Sequence, residues 1–379
     1  MENEFGIREP ESSSSRGRLG GNSDDDDDND FPSLSSAMAG RHDEEDGSQL
    51  LSQLNISAED EAAMQKFMPE PADRKKGPTL GDYISEMIRK KEQLLQGQVT
   101  DMESMDGRHV TKLDHRVVKL YRGVGKVMRN YRSGKVPKAF KVIPSLRNWE
   151  QVLGITSPDK WTSASVFVAV RVFCNAGDAI AQRFYHLILL PRIRDEISEF
   201  GRLTFHVHQS VRRAMFRPAA FFKGLILPLL LDSCTLREAA ILCHLLSHHS
   251  IPQLHSSAAL IRIADCDYTP PSSLFLHTLI SKRYALPYRV IDALVDHFVR
   301  FQSDRRVFPV LWHQTLLAFV NNYAADIASE QREALRNLLK VHSHHQITDL
   351  IRDKLAHTKA RDEEEVMTEP IAHERGDNC

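Results

Sequence analysis

From Thr79 onward, apolar residues recur at intervals of three and four, and nowhere do they alternate over a run long enough to make a sheet. Behind the breaker Pro78 and a Thr79 cap, Leu80, Ile84, Met87, Ile88, Leu94 and Leu95 form the first helical stripe. Ser157 and Pro158 start a later helix, Pro191 and Gly201 bracket another, and Thr235 with Glu238 makes a capping box. Pro252, Pro271, Pro287 and Pro309 each stand where a first turn begins. The pattern predicts an all-α protein of about a dozen helices with short connectors, stacked as hairpins in a helical-repeat (HEAT-like) α-solenoid over residues 79–357. No period of 20 to 50 residues repeats in the sequence, so the expectation rests on the succession of helices.

The flanks differ. Residues 1–57 are rich in Ser, Gly and Asp, including the run Asp24 to Asp28, and hold too few apolar side chains to offset the entropy of ordering. A disordered acidic segment is expected over 1–78 and a short acidic tail over 358–379. Ser23, just ahead of the Asp run, reads either as an acid-directed kinase site or as an incidental serine in a solubilising tail.

Charge adds what periodicity does not. The 379-residue chain has a formal net charge of -2, but residues 1–73 hold 19 acidic against 5 basic side chains and residues 361–379 hold 7 against 2. Residues 74–360 are left with 42 basic and 25 acidic side chains, a net +17 that attracts nucleic acid. The excess is concentrated. Arg116, Lys119, Arg122, Lys126, Arg129, Arg132, Lys135, Lys138 and Lys141 fall in one stretch without an Asp or Glu. At 100° per residue, Leu113, Val117, Leu120, Tyr121, Val124, Val127, Met128 and Tyr131 occupy an arc of about 120°, and Lys119, Arg122, Lys126 and Arg129 occupy about 80° opposite. A solvated helix face usually mixes signs, so a face without acids points to a polyanion, and phosphate backbones are the expected one.

A second stretch runs from Arg202 through Arg212, Arg213, Arg217 and Lys223, with His206, His208, Phe205 and Phe216 among the charges and no acid between Glu199 and Asp232. Arg and aromatic planes both stack on unpaired bases; alternatively the aromatics pack inward and the arginines solvate the surface. A third cluster, Lys282, Arg283, Tyr284, Tyr288 and Arg289, reads as core plus surface. Arg74 to Lys76 and Arg89 to Lys91 resemble a bipartite import signal, although the second triplet also suits a helix C-terminus.

Other chemistry is not supported. Gly123, Val124, Gly125 and Lys126 look like the end of a phosphate loop, but Leu120 and Val127 stand where Gly and Ser or Thr are required; the glycines are expected to allow close approach of a neighbour or ligand. His244 and His248 are four apart, with His249, His255, His342, His344 and His345 as further candidates, yet Leu245 fills the Glu position of a zinc helix and no carboxylate converges. No metal and no cofactor are expected. Neither a serine elbow nor a reactive-cysteine context occurs, so no catalytic residue is expected. Five irregularly spaced cysteines fit a reducing compartment. The longest apolar stretch, Ala219 to Leu231, is broken by Lys223 and Pro228 and falls short of a bilayer, so it reads as a buried helix and no membrane is expected; without a catalytic residue, no small-molecule substrate is expected either.

Several runs are long and unusual: Tyr131 to Phe140 (YRSGKVPKAF), Asn148 to Glu150 (NWE), Ala181 to Tyr185 (AQRFY), Leu189 to Arg192 (LLPR), Thr235 to Ala239 (TLREA), Leu254 to Ala259 (LHSSAA), Tyr284 to Val290 (YALPYRV) and Pro309 to Gln314 (PVLWHQ). With them the chain, from about Phe67 to Ala356, closely resembles the bystin family of eukaryotic small-subunit ribosome assembly factors. The resemblance implies a non-enzymatic helical-repeat protein of the nucleus and nucleolus that binds precursor 40S particles, supports 18S ribosomal RNA maturation and travels with the particle toward the cytoplasm. The implied partners are precursor 18S ribosomal RNA, U3 small nucleolar RNA, small-subunit ribosomal proteins and other pre-40S assembly factors. Family members begin with a Lys- and Arg-rich extension, whereas this sequence opens in acidic residues, so import is expected to use other signals or a partner. The rival readings are a purely protein-binding scaffold in transport or cell adhesion, separable by salt-dependent RNA binding, and a metal-dependent hydrolase, separable by stoichiometric metal.

Overall fold

Helices α2 (His115–Asn130), α3 (Lys138–Val142) and α4 (Trp149–Ile155) lead into α5 (Ser163–Asn175), and α2 packs on α4. The computed structural model describes Leu54, residues 58–68 and residues 114–363. The Thr79 to Leu95 stripe, Ser23, the two basic triplets and the acidic tail beyond residue 363 lie outside the described residues. Among the described residues every regular element is helical and none is a strand, in agreement with the all-α expectation.

Two long helical segments carry a proline inside them. Asp178–Phe184 (α6) runs through a π turn, Tyr185–Leu189, into Leu190–Phe200 (α7); Pro218–Phe221 (α9) runs through a second π turn, Phe222–Ile226, into Leu227–Leu231 (α10). Proline lacks an N–H and crowds the carbonyl four residues earlier. For Pro191 and Pro228 those carbonyls belong to Leu187 and Gly224, each within its π turn, where the widened ring absorbs the misfit. Pro191 therefore lies within a continuous helical segment rather than opening an independent one, although Gly201 closes it as expected, with φ 69°. Ser157 and Pro158 give only a 3-10 turn, Pro158–Lys160. The following helix starts at Ser163, where the Ser165 N–H donates to the Thr162 hydroxyl at 3.2 Å. The Thr235 and Glu238 capping box is present on α11 (Leu236–His248).

Helix α5 lies along α8 (Phe205–Ala214), and α6 lies against α9. Further on, alternate helices pair: α11 on α13 (Pro270–Ser281), α13 on α15 (Val310–Tyr323) and α15 on α17 (Ile347–His357), while α12 (Gln253–Ala264) packs on α14 (Tyr288–Val299) and α14 on α16 (Ser329–Val341). Sequence neighbours thus fall into two rows, each helix turning its apolar stripe to the other row. The core is aromatic in both parts: Phe173 of α5 stacks on Phe184 of α6 at 4.2 Å, and in the paired rows Trp312 lies between Phe298 at 5.7 Å and Phe308 at 4.9 Å. Burial of such side chains is the main stabilising term.

One finding corrects the expected boundary of the acidic segment. Ala58–Gln65 (α1) is helical, and Leu54, Met64 and Phe67 are buried. The Gln314 amide donates to the Leu54 carbonyl at 2.7 Å, Phe67 stacks on Phe308 at 5.5 Å, and the Arg306 guanidinium covers the Phe67 ring at 4.6 Å. Three apolar anchors are too few to alter the composition of an acidic window, but each fills a place on a formed surface. An isolated helix of this length is unstable in water, so α1 exists by docking.

Candidate nucleic-acid interface

The Asp114 carboxylate caps α2 by accepting the Arg116 N–H at 3.1 Å. Two hydroxyls from the start of α5 fix its other end: Ser165 donates to the Met128 carbonyl at 2.5 Å and Thr162 to the Tyr131 carbonyl at 2.6 Å. With the Met128 and Tyr131 carbonyls bonded in this way, the helix is held in place at the end from which the basic loop departs. The buried residues of α2 are Tyr121, Val124, Gly125 and Met128, with Tyr131 just beyond.

All nine basic side chains from Arg116 to Lys141 are exposed, and none has an ion-pair partner among the described residues. Lys119 to Arg129 extend about 15 Å along one side of α2 at a rise of 1.5 Å per residue. The short helix α3 repeats the logic: Phe140 is fully buried against Trp161 at 5.5 Å while Lys138 and Lys141 point outward. The surface is thus a row of cations on a rigid support, suited to phosphates.

The apolar face of α2 is displaced from its expected centre. Leu120 is 54% exposed and Val127 49% exposed, whereas Gly125 is buried. On a helical wheel the buried arc turns by about 40° relative to the sequence pattern. Gly125 is the cause: a Cβ built there would lie 2.5 Å from the Thr156 carbonyl oxygen, so only glycine lets α2 sit down on the end of α4. At Gly123 the same atom would meet nothing within 4 Å, so close approach is a property of Gly125 alone.

The second basic stretch is mostly engaged. Arg217 Nε donates to the Cys174 carbonyl at 3.0 Å and its Nη1 pairs with the Asp178 carboxylate at 3.1 Å. Arg213 donates to the Asn175 side-chain oxygen at 3.4 Å. Both clamp the C-terminal end of α5, whose free carbonyls attract cations. Arg212 is exposed and donates from Nε to His249 Nε2 at 2.8 Å, while the His249 Nδ1–H is directed to the Leu245 carbonyl at 3.0 Å. Lys223 is exposed. The C-terminal end of α2 is fixed to the N-terminal end of α5, and Arg213 and Arg217 meet the other, so the two basic sets are separated by about 18 Å of helix.

The remaining candidates are structural. Lys282 donates to the His249 carbonyl at 2.6 Å, closing α11, and Tyr284 accepts the Ile251 N–H at 3.0 Å. The His244 and His248 rings lie 4.5 Å apart, but His248 Nδ1 is directed to the His244 carbonyl at 2.9 Å. Among the described residues no three His, Cys, Asp or Glu side chains converge on a metal position. Cys174, Cys234, Cys243 and Cys266 are free thiols. Among the described residues no single helix is long and apolar enough to cross a membrane.

Comparison with known proteins agrees with the sequence resemblance. The family model described as Bystin matches residues 74–365. The chain is 47% identical to human Bystin over 315 residues, covering 82% of this chain and 70% of the relative. It is 47% identical to Bystin of Nematostella vectensis over 313 residues, covering 82% and 71%, and 40% identical to Bystin of Arabidopsis thaliana over 323 residues, covering 85% and 70%.

Proposed function

Because the chain belongs to the bystin family, we propose that it is a non-catalytic assembly factor that binds the precursor 40S particle through ribosomal RNA phosphates and supports 18S ribosomal RNA maturation and export of the particle. The observation that carries this reading is the row of nine exposed cations on α2, α3 and the intervening loop, without ion-pair partners among the described residues. The two rows of alternately paired helices are the arrangement expected of an α-solenoid, a form that offers long faces to ribosomal proteins and other assembly factors. Its mechanism is occupancy. By holding an immature arrangement of RNA and protein it blocks premature contacts, and it departs when a competing partner, or a charge-adding modification of a partner, shifts the balance. Work in the nucleolus and passage to the cytoplasm with the particle follow from that role, with U3 small nucleolar RNA as a further RNA partner.

A specific observation supports a second reading. Leu120 and Val127 leave an apolar strip beside the cations, as a protein-binding scaffold requires. Changing Lys119, Arg122, Lys126 and Arg129 together to Gln separates the two. If the cations meet phosphates of a single strand, the slope of log affinity against log salt falls by roughly 3, at about 0.7 per contact, and affinity falls for all sequences alike. A folded quadruple variant that binds ribosomal RNA with unchanged affinity and slope would assign the stripe to a protein partner.

A further inference from the structure

We propose that Phe216 is a stacking platform for one unpaired RNA base; the proposal rests on the RNA-binding reading above and adds to it a single-strand contact at the opposite end of α5. Phe216 lies on the corner where Phe205–Ala214 meets Pro218–Leu231 at a bend of 117°. Met215 turns inward there, while Phe216 is 68% exposed.

The corner is held from several sides. The Phe216 N–H donates to the Arg213 carbonyl at 3.2 Å and the Arg217 N–H to the Ala214 carbonyl at 3.1 Å, closing the turn. Arg217 then ties the corner to the Cys174 carbonyl and to Asp178. An aromatic ring on a fixed corner has little freedom left to lose on binding, which favours stacking over loose hydrophobic contact. The guanidinium of Arg213 lies 4.8 Å from the Phe216 ring centroid and is itself tethered to Asn175. A cation on one part of the ring, with the rest open to solvent, is the geometry of an arginine and aromatic pair on which a base can stack.

Charge selects an anionic partner. No acidic residue occurs between Glu199 and Asp232, Arg212 and Lys223 are exposed nearby in sequence, and the Asp178 carboxylate is neutralised by Arg217. Other exposed apolar side chains fail on one count or another. Leu231, Leu254 and Val307 have no ring, Phe200 is 56% exposed but directly follows the acid Glu199, and Phe205 is half-buried with His206 at its edge. Tyr288 has the same arginine geometry, at 5.1 Å from Arg361, but Arg361 is paired with Asp292 and followed by Asp362 and Glu363, which repel a phosphate chain. Because every base has a π face, the platform is tolerant of sequence and intolerant of pairing.

The test uses the full chain with a uridine-rich single strand and with a duplex of equal length, comparing wild type with Phe216→Ala, Phe216→Leu and Phe216→Trp. Alanine and leucine are expected to weaken single-strand binding roughly 5- to 150-fold, to leave the salt slope unchanged and to spare duplex binding, while tryptophan retains affinity. A 4-thiouridine strand is expected to crosslink to the peptide that contains Phe216. Wild-type affinity of the alanine variant, or of the leucine variant, or an equal loss on duplex, overturns the platform. If the stripe variant loses its salt dependence while Phe216→Ala binds as wild type, the platform fails and the RNA reading stands; if the wild-type protein binds neither RNA, both fail.

Discussion

Substituting alanine at Gly123 and at Gly125 is expected to have unequal effects on stability, although the two residues share one helix and differ by two positions. Alanine is the better helix former by up to about 1 kcal/mol, and at Gly123 nothing opposes that gain, because the added methyl enters open space. At Gly125 the methyl would stand 2.5 Å from the Thr156 oxygen, 2.9 Å from its Cα and 3.0 Å from its carbonyl carbon, all rigid backbone. Thr156 cannot retreat easily. It is 1% exposed, its carbonyl accepts the Trp161 indole N–H at 3.2 Å, and its hydroxyl donates to the Leu153 carbonyl at 2.6 Å. Helix α2 must therefore rise off α4, at an overpacking cost of about 1–3 kcal/mol that cancels or exceeds the propensity gain. The variants should then differ from each other by the same amount, which for a body of this size is roughly 2–12 °C in melting temperature, with Gly123→Ala the more stable. Circular dichroism melts at one pH and one protein concentration measure it. Coincident melting curves for the two variants would refute the close contact.

Three further outcomes follow from the packing. Burial holds His297 and His313 near pKa 4, so both are neutral in the fold, and the unfolded chain, titrating near 6.5, takes up protons first as pH falls. Stability should therefore drop by roughly 2 kcal/mol per histidine between pH 7.5 and 5 and be regained above 6.5, as urea midpoints report; His313→Gln should remove its share. Arg217→Gln should lower stability by about 1–2 kcal/mol, through the lost Cys174 and Asp178 contacts, yet leave the salt slope of RNA binding unchanged. Phe67→Ala should abolish amide protection in Ala58–Gln65 without altering that of α11 to α17, because α1 persists only by docking; retained protection there would show that the helix stands alone.

What could be read from the sequence was set by how far the interactions reach. The amphipathic form of α2, the outward direction of its cations and the capping box at Thr235 depend on residues within a turn or two, and the structure has them as expected. The turn of α2 toward Gly125 depends on Thr156, 31 positions away in the chain, and no periodicity encodes it. The docking of α1 depends on Phe308 and Gln314, far along the chain, so its anchors look like stray apolar residues in an acidic window. The π turns escape the pattern for a different reason: Pro191 reads as the start of a helix and Pro228 as a break in an apolar stretch, whereas a helix with room for one wider ring carries a proline through.

The same distinction bears on the basic residues, where a lysine or arginine in a string of letters carries no sign of whether its charge is available. A helix presents unsatisfied carbonyls only at its C-terminal end, so a cation beside such an end is drawn into capping while one beside a helix flank remains free. Arg213 and Arg217 meet the end of α5 and are taken up by it; Lys119, Arg122, Lys126 and Arg129 lie on the flank of α2, over which nothing described packs. On the proposed function, electrostatic work on a polyanion falls to the flank, and the clamped arginines contribute by fixing the corner that carries Phe216. A substitution in the first set should be felt in the dependence of binding on salt, and one in the second in the geometry of the corner, which is why the two sets need separate assays even though the sequence presents them as equivalent basic stretches.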